Sequence, residues 1–365
     1  MQRRKFINTA GAGMAGILAA GVAPAFAQGA MPEIKWRMAS SFPKSLDTIY
    51  GAAEVMSKRV AAATGGKFQI QVFAAGEIVP AFGVVDAVQN GTIQAAHTAP
   101  YYFWGKEPTF ALDTAIPFSL NARQTNAWQI FGGGIELFAE FYKGYNMHRV
   151  PCGNTGAQMG GWFRKEIKSV ADLKGLKMRI GGMAGKVLEK LGVVPQLIPG
   201  GDIYPALEKG TIDAAEWVGP YDDEKLGFVK IAPYYYYPGW WEGSANGHLF
   251  ISTSKWAELP KLYQQMVRIA AAQVAADLIS KYDVGNAPAI KRLVVAGAQL
   301  RPFSLEIMDA AYTATNELFT EVAGKNPMFK KLYDSMVAFR NEQYQWHQVC
   351  EATYDNYMIR QRNRA

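Results

Sequence analysis

The sequence predicts an α/β protein built as two similar halves. Three observations lead there: strand, helix and strand alternate along the chain, a stretch of the first half is echoed in the second, and 365 residues exceed what one hydrophobic core usually holds. Residues 34–40 alternate apolar and polar side chains and run into Ser41-Phe42-Pro43-Lys44, which reads as a strand and its loop. Helical spacing follows over 48–63, a second strand over 68–73, a helix over 81–89 and a third strand over 93–98. That last strand delivers the aromatic loop Ala99-Pro100-Tyr101-Tyr102-Phe103-Trp104. This order predicts a mostly parallel sheet covered on both faces, extended by helical material over 122–142 and a strand over 147–152.

The second half repeats the grammar. Strands are expected over 157–163, 177–180, 195–198 and 211–215, with a helical turn over 170–173 and helices over 186–191 and 203–209 between them. AVQNGTIQAAHTAPYY, starting at Ala87, matches ALEKGTIDAAEWVGPY, starting at Ala206, at seven of sixteen positions without a gap. Both copies read helix, Gly turn, Thr-Ile strand and polar loop, so His97 falls opposite Glu216 and the two strand ends are expected to face each other. A strand over 233–238 leads into Gly239-Trp240-Trp241-Glu242-Gly243, and another covers 247–252. A long amphipathic helix over 256–282, a strand over 298–302, a helix over 304–323 and helical sequence over 327–361 complete the chain. The last segment carries enough aromatic residues to need a partner surface, either a second subunit or its own domain.

The ends and the composition limit function. Met1 opens on Arg3-Arg4-Lys5-Phe6-Ile7, continues through an Ala- and Gly-rich apolar run and closes on Ala25-Phe26-Ala27, the form of a twin-arginine signal peptide over 1–27. Export to a bacterial periplasm is the simplest destination. Loss of Arg3, Arg4 and Lys5 takes the formal charge from +7 to +4, too little and too spread for a nucleic-acid binder. Cys152 and Cys350 either pair or stay thiols, and two cysteines make neither a disulfide scaffold nor a zinc site. The four histidines show no ligand spacing, no G-x-S-x-G elbow occurs, and Gly185-Lys186 lacks the other residues of a phosphate loop.

What remains suits an anion. Glu216-Trp217-Val218-Gly219-Pro220 follows a short apolar strand, and ligands of open α/β sheets gather outside the carboxyl ends of strands. Glu242 arrives at a second strand end among tryptophans, which suggests a small polar site with an apolar wall formed by residues 234–237, Trp240 and Trp241. Arg179 precedes two glycines at another strand end and can offer a carboxylate two parallel donors. Gln158 lies in a strand too rich in glycine to be chosen for stability.

From Lys174-Gly175-Leu176-Lys177-Met178-Arg179 and Gly210-Thr211-Ile212-Asp213-Ala214-Ala215-Glu216 onward, the chain resembles the DctP family, the extracytoplasmic solute receptors of tripartite ATP-independent periplasmic (TRAP) transporters. The likeness covers roughly residues 34–361 and is greatest with receptors that capture 2-oxo acids such as pyruvate together with a cation. Ser40-Ser41-Phe42-Pro43-Lys44-Ser45-Leu46-Asp47-Thr48 and Glu216-Trp217-Val218-Gly219-Pro220-Tyr221-Asp222-Asp223-Glu224 are among the runs that carry it. The resemblance implies a two-lobed periplasmic binding protein fold with hinge strands, a long spanning helix and a C-terminal helix that often makes a homodimer. On that pattern, 34–153 with 247–297 form the first lobe, 154–246 with 298–326 the second, and 327–365 a C-terminal segment.

It further implies that Arg179 binds the substrate carboxylate, that Tyr101 reaches the substrate from the other lobe, and that Gln158, Glu216, the Trp217 carbonyl and Glu242 ligate the metal. Trp217 stands where many members carry asparagine, which argues against sialic-acid or C4-dicarboxylate substrates. Oxygen donors of this kind suit Na⁺ or Ca²⁺ and not zinc or copper. With Arg179, two glutamates and a monoanion, Na⁺ leaves one negative charge over and Ca²⁺ none, so acid and cation are expected to bind together. The partners are then a small organic-acid anion and the TRAP membrane permease. A receptor for a 2-hydroxy acid such as lactate, or a cation-dependent enzyme on small carboxylic acids, are the other functions left open.

Overall fold

The computed structural model describes residues 31–362, and the signal peptide expected over 1–27 lies outside them. Strands are numbered in chain order. In the first sheet, β1 (Ile34–Ser40), β2 (Phe68–Phe73), β3 (Ala95–Thr98), β4 (Met147–Asn154) and β10 (Asn246–Ser252) run in the order β2-β1-β3-β10-β4. The second sheet takes β5 (Trp162–Phe163), β6 (Lys177–Arg179), β7 (Val194–Gln196), β8 (Ala214–Ala215), β9 (Tyr234–Tyr237) and β11 (Gln299–Pro302) in the order β11-β9-β5-β8-β6-β7. The chain therefore leaves the first sheet after Asn154 and returns to it at Asn246. Those two residues meet, Asn154 Nδ2 donating to Asn246 Oδ1 at 2.7 Å.

Edge and centre follow from side-chain pattern. β1 and β2 bury Trp36, Met38, Phe68 and Ile70 while Lys35, Arg37, Gln69 and Gln71 face solvent, the alternation of a half-covered strand. β3 and β8 are buried throughout, as central strands must be. The echo noted in the sequence survives as topology: β3 has β1 parallel on one side and β10 antiparallel on the other, and β8 has β6 parallel and β5 antiparallel. Both sheets are thus mostly parallel, as expected, each with one antiparallel strand, β10 in the first and β5 in the second. A returning strand, β10 or β5, enters beside the duplicated one, and nothing local in a strand's sequence encodes its direction.

Helix Lys261–Val295 packs on β4 and helix Ile49–Ala63 in the first half and on helix Pro220–Leu226 in the second. It was expected over 256–282. Leu259-Pro260 instead separates it from a short helix, Thr253–Glu258, because proline lacks the N–H that would continue the ladder, while Pro288 is carried inside the longer helix without ending it. The strand expected over 157–163 shrinks to β5. Gly156 and Gly161 take left-handed φ values of 72° and 85°, so the chain there turns and cannot lie in a ladder. Residues 122–142 divide at Gly132-Gly133 into helices Ala122–Phe131 and Gly134–Lys143, and 327–361 divide at Cys350 into Pro327–Val349 and Glu351–Gln361.

Phe329, Leu332 and Met336 are buried at the start of the C-terminal segment, whereas Trp346, Val349, Tyr354, Tyr357 and Ile359 are exposed. No helix among the described residues is long and apolar enough to cross a membrane. Both cysteines are free; Cys152 is buried, its thiol pushed up to about 12 by burial, and Cys350 is exposed.

One charged cluster lies deep in the first half. Asp113 accepts from Arg149 Nε at 2.6 Å, from Arg149 Nη2 and from the Tyr142 hydroxyl at 2.8 Å, and Gln129 takes a further Arg149 N–H. Burial works against the Asp113 charge, but Arg149 outweighs it and holds the carboxyl below its ordinary range. Removing one partner strands the other in a low-dielectric interior. Asp113→Ala should therefore cost about 3–5 kcal/mol in urea unfolding, whereas Asp334→Ala, which breaks the exposed pair with Lys330, should cost under ~1 kcal/mol.

Candidate functional site

Strand register builds the site. β6 and β8 pair with Arg179 beside Ala215, so the next residue, Glu216, stands at the same strand end as the guanidinium, and its N–H donates to Arg179 O at 3.0 Å. Arg179 is 1% exposed and Glu216 fully buried. Arg179 Nη1 donates to Glu216 Oε2 at 2.8 Å and to the Glu216 carbonyl at 2.6 Å, while Nε donates to Ile198 O at 3.2 Å. The face of the guanidinium lies 4.8 Å from the Trp217 ring centroid, a cation–π contact.

Gln158 and Glu242 come from the turning segments. Gln158 N donates to Glu242 O at 3.1 Å, and Met159 N donates to Val218 O at 3.0 Å, which ties residues 158–159 to both glutamate-bearing strand ends. Tyr101 arrives from the first half on a 3-10 turn, Pro100–Phe103, just past β3. It sits on Gly181 and Gly182. A Cβ at Gly182 would lie 2.6 Å from the Tyr101 ring, and its φ of 60° is left-handed, so only glycine fits on both counts. All six predicted residues, Arg179, Gln158, Tyr101, Glu216, Trp217 and Glu242, are buried in this one neighbourhood.

Their polar atoms are unusually ill served by the protein. Arg179 Nη2, Gln158 Oε1, Glu216 Oε1, both Glu242 carboxylate oxygens and Trp217 Nε1 are buried without a hydrogen-bond partner. Buried polar groups are ordinarily paired, so a concentration of unpaired ones marks a place built for something else to bind. The Tyr101 hydroxyl stands beside Glu242 without meeting hydrogen-bond geometry. Burial, then Glu242, raises its pKa well above 10, so it stays a neutral donor.

One guanidinium faces two buried carboxylates. Burial first and Glu216 second push Glu242 well above the ordinary glutamate range, and burial likewise lifts Glu216, to about 8, against the pull of Arg179. Glu216 has Arg179 in contact and Glu242 has no cation at contact distance, so the proton that the cluster retains settles on Glu242. Among the described residues no three His, Cys, Asp or Glu gather in a metal-holding group. The unpaired acceptors here are instead one amide oxygen and two carboxylates, a hard-oxygen set that fits Na⁺ or Ca²⁺.

Beside this cluster a cavity is walled by residues of both sheets, with Phe42, His97 and Tyr102 on one side and Trp217 and Val218 on the other. His97 and the strand end after Glu216, matched in the sequence echo, do face one space. His97 is neutral, burial having taken it down to about 3, and its Nδ1 lies 3.2 Å from Ser40 Oγ. Part of the aromatic run expected to wall the site is core instead. Tyr235 and Tyr236 lie in the second core, where their hydroxyls bond Asp223 and Ile167, and Trp240 stacks on Phe118.

Sequence reasoning missed Asp223 and Thr155. Asp223 accepts from Trp162 Nε1 at 2.9 Å, Tyr235 OH at 2.7 Å and the N–H groups of Val218 and Gly219, and so fixes the strand end that carries Trp217. Its position in Asp222-Asp223 at a helix start gave only a capping signal.

Residues 39–326 match the family "Bacterial extracellular solute-binding protein, family 7". A curated relative from Nostoc sp., named monocarboxylate 2-oxoacid-binding periplasmic protein, is 47% identical over 360 residues, 98% of this chain and 99% of its own. Among solved structures, a TRAP transporter solute-binding protein from Bordetella bronchiseptica, described as a dimer with copurified calcium and picolinate, is 51% identical with a TM-score of 0.90, over 91% of this chain and 99% of that one. Another, from Pseudoalteromonas atlantica with bound sodium and pyruvate, is 38% identical with a TM-score of 0.86, over 89% and 99%.

The displaced pKa of Glu242 has a measurable sign. A carboxyl whose folded pKa exceeds its unfolded value, near 4.5, adds stability below that pH, and the contribution is lost as pH rises through the folded pKa. In chelator, Glu242→Gln should therefore gain thermal stability over the wild type as pH is raised from about 5 to 8. An unchanged difference in Tm between the two pH values would contradict this account of the cluster.

Proposed function

The chain belongs to family 7 of the bacterial extracellular solute-binding proteins, and from that premise we propose that it captures a 2-oxo monocarboxylate such as pyruvate together with Na⁺ or Ca²⁺ for a TRAP membrane permease. The observation that carries the reading is the set of buried unpaired atoms: a guanidinium N–H for an acid's carboxylate beside amide and carboxylate oxygens for a cation. Arg179 binds the substrate carboxylate through Nη2, its only unpaired terminal nitrogen. Gln158, Glu216, the Trp217 carbonyl and Glu242 hold the cation. When bound, that ion neutralises the glutamates and offers a Lewis-acid contact to the carboxylate and keto oxygens of the acid. Tyr101 donates to the substrate from the opposite half.

The family is one of solute receptors, and we read this chain as a receptor and not an enzyme. Residues 34–153 with 247–297 and residues 154–246 with 298–326 are the two lobes in this reading, closing about the segments near Asn154 and Asn246. The exposed apolar face around Trp346, Tyr354 and Ile359 is the homodimer contact. Arg3 and Arg4 direct export to the periplasm by the twin-arginine route.

Calorimetric titration with pyruvate, lactate and a C4-dicarboxylate, each with and without Na⁺ or Ca²⁺, tests the proposal. Pyruvate should bind only with a cation, Arg179→Ala should abolish binding of every acid, and Glu242→Gln should alter chiefly the cation dependence. Equal pyruvate affinity in chelator-treated, sodium-free buffer would overturn co-capture. Tighter binding of lactate would move the reading to a 2-hydroxy acid.

A further inference from the structure

We infer that Thr155 is a positioning residue that sets the Gln158 amide with its oxygen toward the cation, an inference that rests on the co-capture reading above. An amide has a donor end and an acceptor end of nearly equal size, and only its partners decide which way it faces. Thr155 makes that decision. Its hydroxyl donates to Gly156 O at 3.0 Å, which commits the hydroxyl proton and leaves the oxygen as acceptor only. Gln158 Nε2 donates to this oxygen at 3.0 Å. Reversing the amide would set Oε1 against that oxygen, and the hydroxyl could answer only by turning its proton away from Gly156 O and giving up that bond.

The donor end is therefore fixed, and Gln158 Oε1 is left as the unpaired end, in the same condition as Glu216 Oε1 and the two Glu242 oxygens. Thr155 itself is held by its backbone N–H, which donates to Ala245 O at 3.0 Å, and by Gly156 N, which donates to Asn154 Oδ1 at 2.8 Å. A cation needs the oxygen and is repelled by the NH₂ group, so orientation of the amide separates a ligand from an obstacle. Thr155 and Gln158 are both buried, and Thr155 also lines the neighbouring cavity, so the pair lies at the boundary between the oxygen cluster and that space.

Ca²⁺ titration in saturating pyruvate should show Thr155→Val weakened about 10- to 100-fold, the usual loss when a partner behind a metal ligand is removed. Thr155→Ser, which keeps the hydroxyl, should restore wild-type affinity. In the Thr155→Val background Gln158→Ala should cost little further, since the two act as one unit. Unchanged Ca²⁺ affinity in Thr155→Val, or a full additional loss from Gln158→Ala, would overturn the inference while leaving co-capture intact.

A second readout needs no cation. The Gln158 side-chain NH₂ resonances of the metal-free protein should show one slowly exchanging, hydrogen-bonded proton in wild type and Thr155→Ser, and none in Thr155→Val. Should the wild type take up neither Ca²⁺ nor Na⁺ with pyruvate, co-capture falls, and this comparison alone decides whether Thr155 orients the amide: loss of the slow proton in Thr155→Val upholds that, and its persistence refutes it.

Discussion

A buried guanidinium cannot shed its proton, so Arg179 has to be matched by acceptors that stay in place, and the surrounding backbone is arranged to supply them. Two of its contacts are carbonyls, from Ile198 and Glu216, and a third is the Trp217 ring beneath it. These neutral groups hold the cation in position without cancelling its charge. The Glu216 carboxylate cancels that charge, so Glu242 is a second acid with no cation opposite it and keeps its proton until one arrives. That second acid is the informative part, because a structural ion pair would have been closed with one acid and no leftover oxygens.

Bringing groups from several segments this close requires chain to pass chain with little between them. A Cβ at Gly161 would lie 2.7 Å from Ala215 O, and one at Gly239 would lie 2.6 Å from Gln158 O. Gly239 therefore answers to the approach of another backbone alone, and Gly161 to such an approach together with its left-handed φ. The N–H groups of residues 158–160 find Glu242 O, Val218 O and Tyr236 O, so every N–H of this irregular stretch is bonded although it lies in no ladder. Rigidity at the site comes from these crossings, which also explains how Gln158 can present an unpaired oxygen without collapsing onto a neighbour.

Much of this was legible in the sequence, and the parts that were not share a cause. Strand ends after Arg179 and Ala215 could be read because an apolar run, a charged residue and glycine follow one another locally. Arg179, Glu216, Trp217 and Glu242 stood out at strand ends and Gln158 in a glycine-rich strand, Tyr101 and the separate roles came through family likeness, and the structure gathers all six in one place. Direction of β5 and β10, by contrast, is set by where the chain has been, and the break at Leu259-Pro260 competes with a helical pattern that runs through it. Tyr235 and Tyr236 turn out to be core because aromatic content does not say which face of a strand meets a cavity. Thr155 and Asp223 stayed hidden for a related reason: each acts through a hydrogen bond to a residue placed by tertiary packing, and a threonine or an aspartate in a polar loop carries no periodic signal.

Contacts between the two halves differ in kind, and the difference bears on what holds the halves together around a ligand. At the rim, Asp47 meets Lys225 of the other half and Lys281 of its own; burial opposes its charge, yet the two lysines bring its pKa down to about 2. Such exposed pairs are screened by salt within about 8–10 Å and hold little free energy. Deeper in, Thr48 donates to the buried Asp222 at 2.6 Å, joined by the Tyr282 hydroxyl at 2.7 Å, and Tyr101 rests on Gly181-Gly182. These buried hydrogen bonds and packing contacts fix how the halves meet but leave the second carboxyl, Glu242, without a cation. In the proposed reading, an acid alone would bring a second negative charge beside Glu216 and leave the Glu242 oxygens without a cation, and a cation alone would leave Arg179 Nη2 without an acceptor. Only the two together meet both demands, so closure around the pair follows from the charge balance of the cleft and needs no strong latch at its rim.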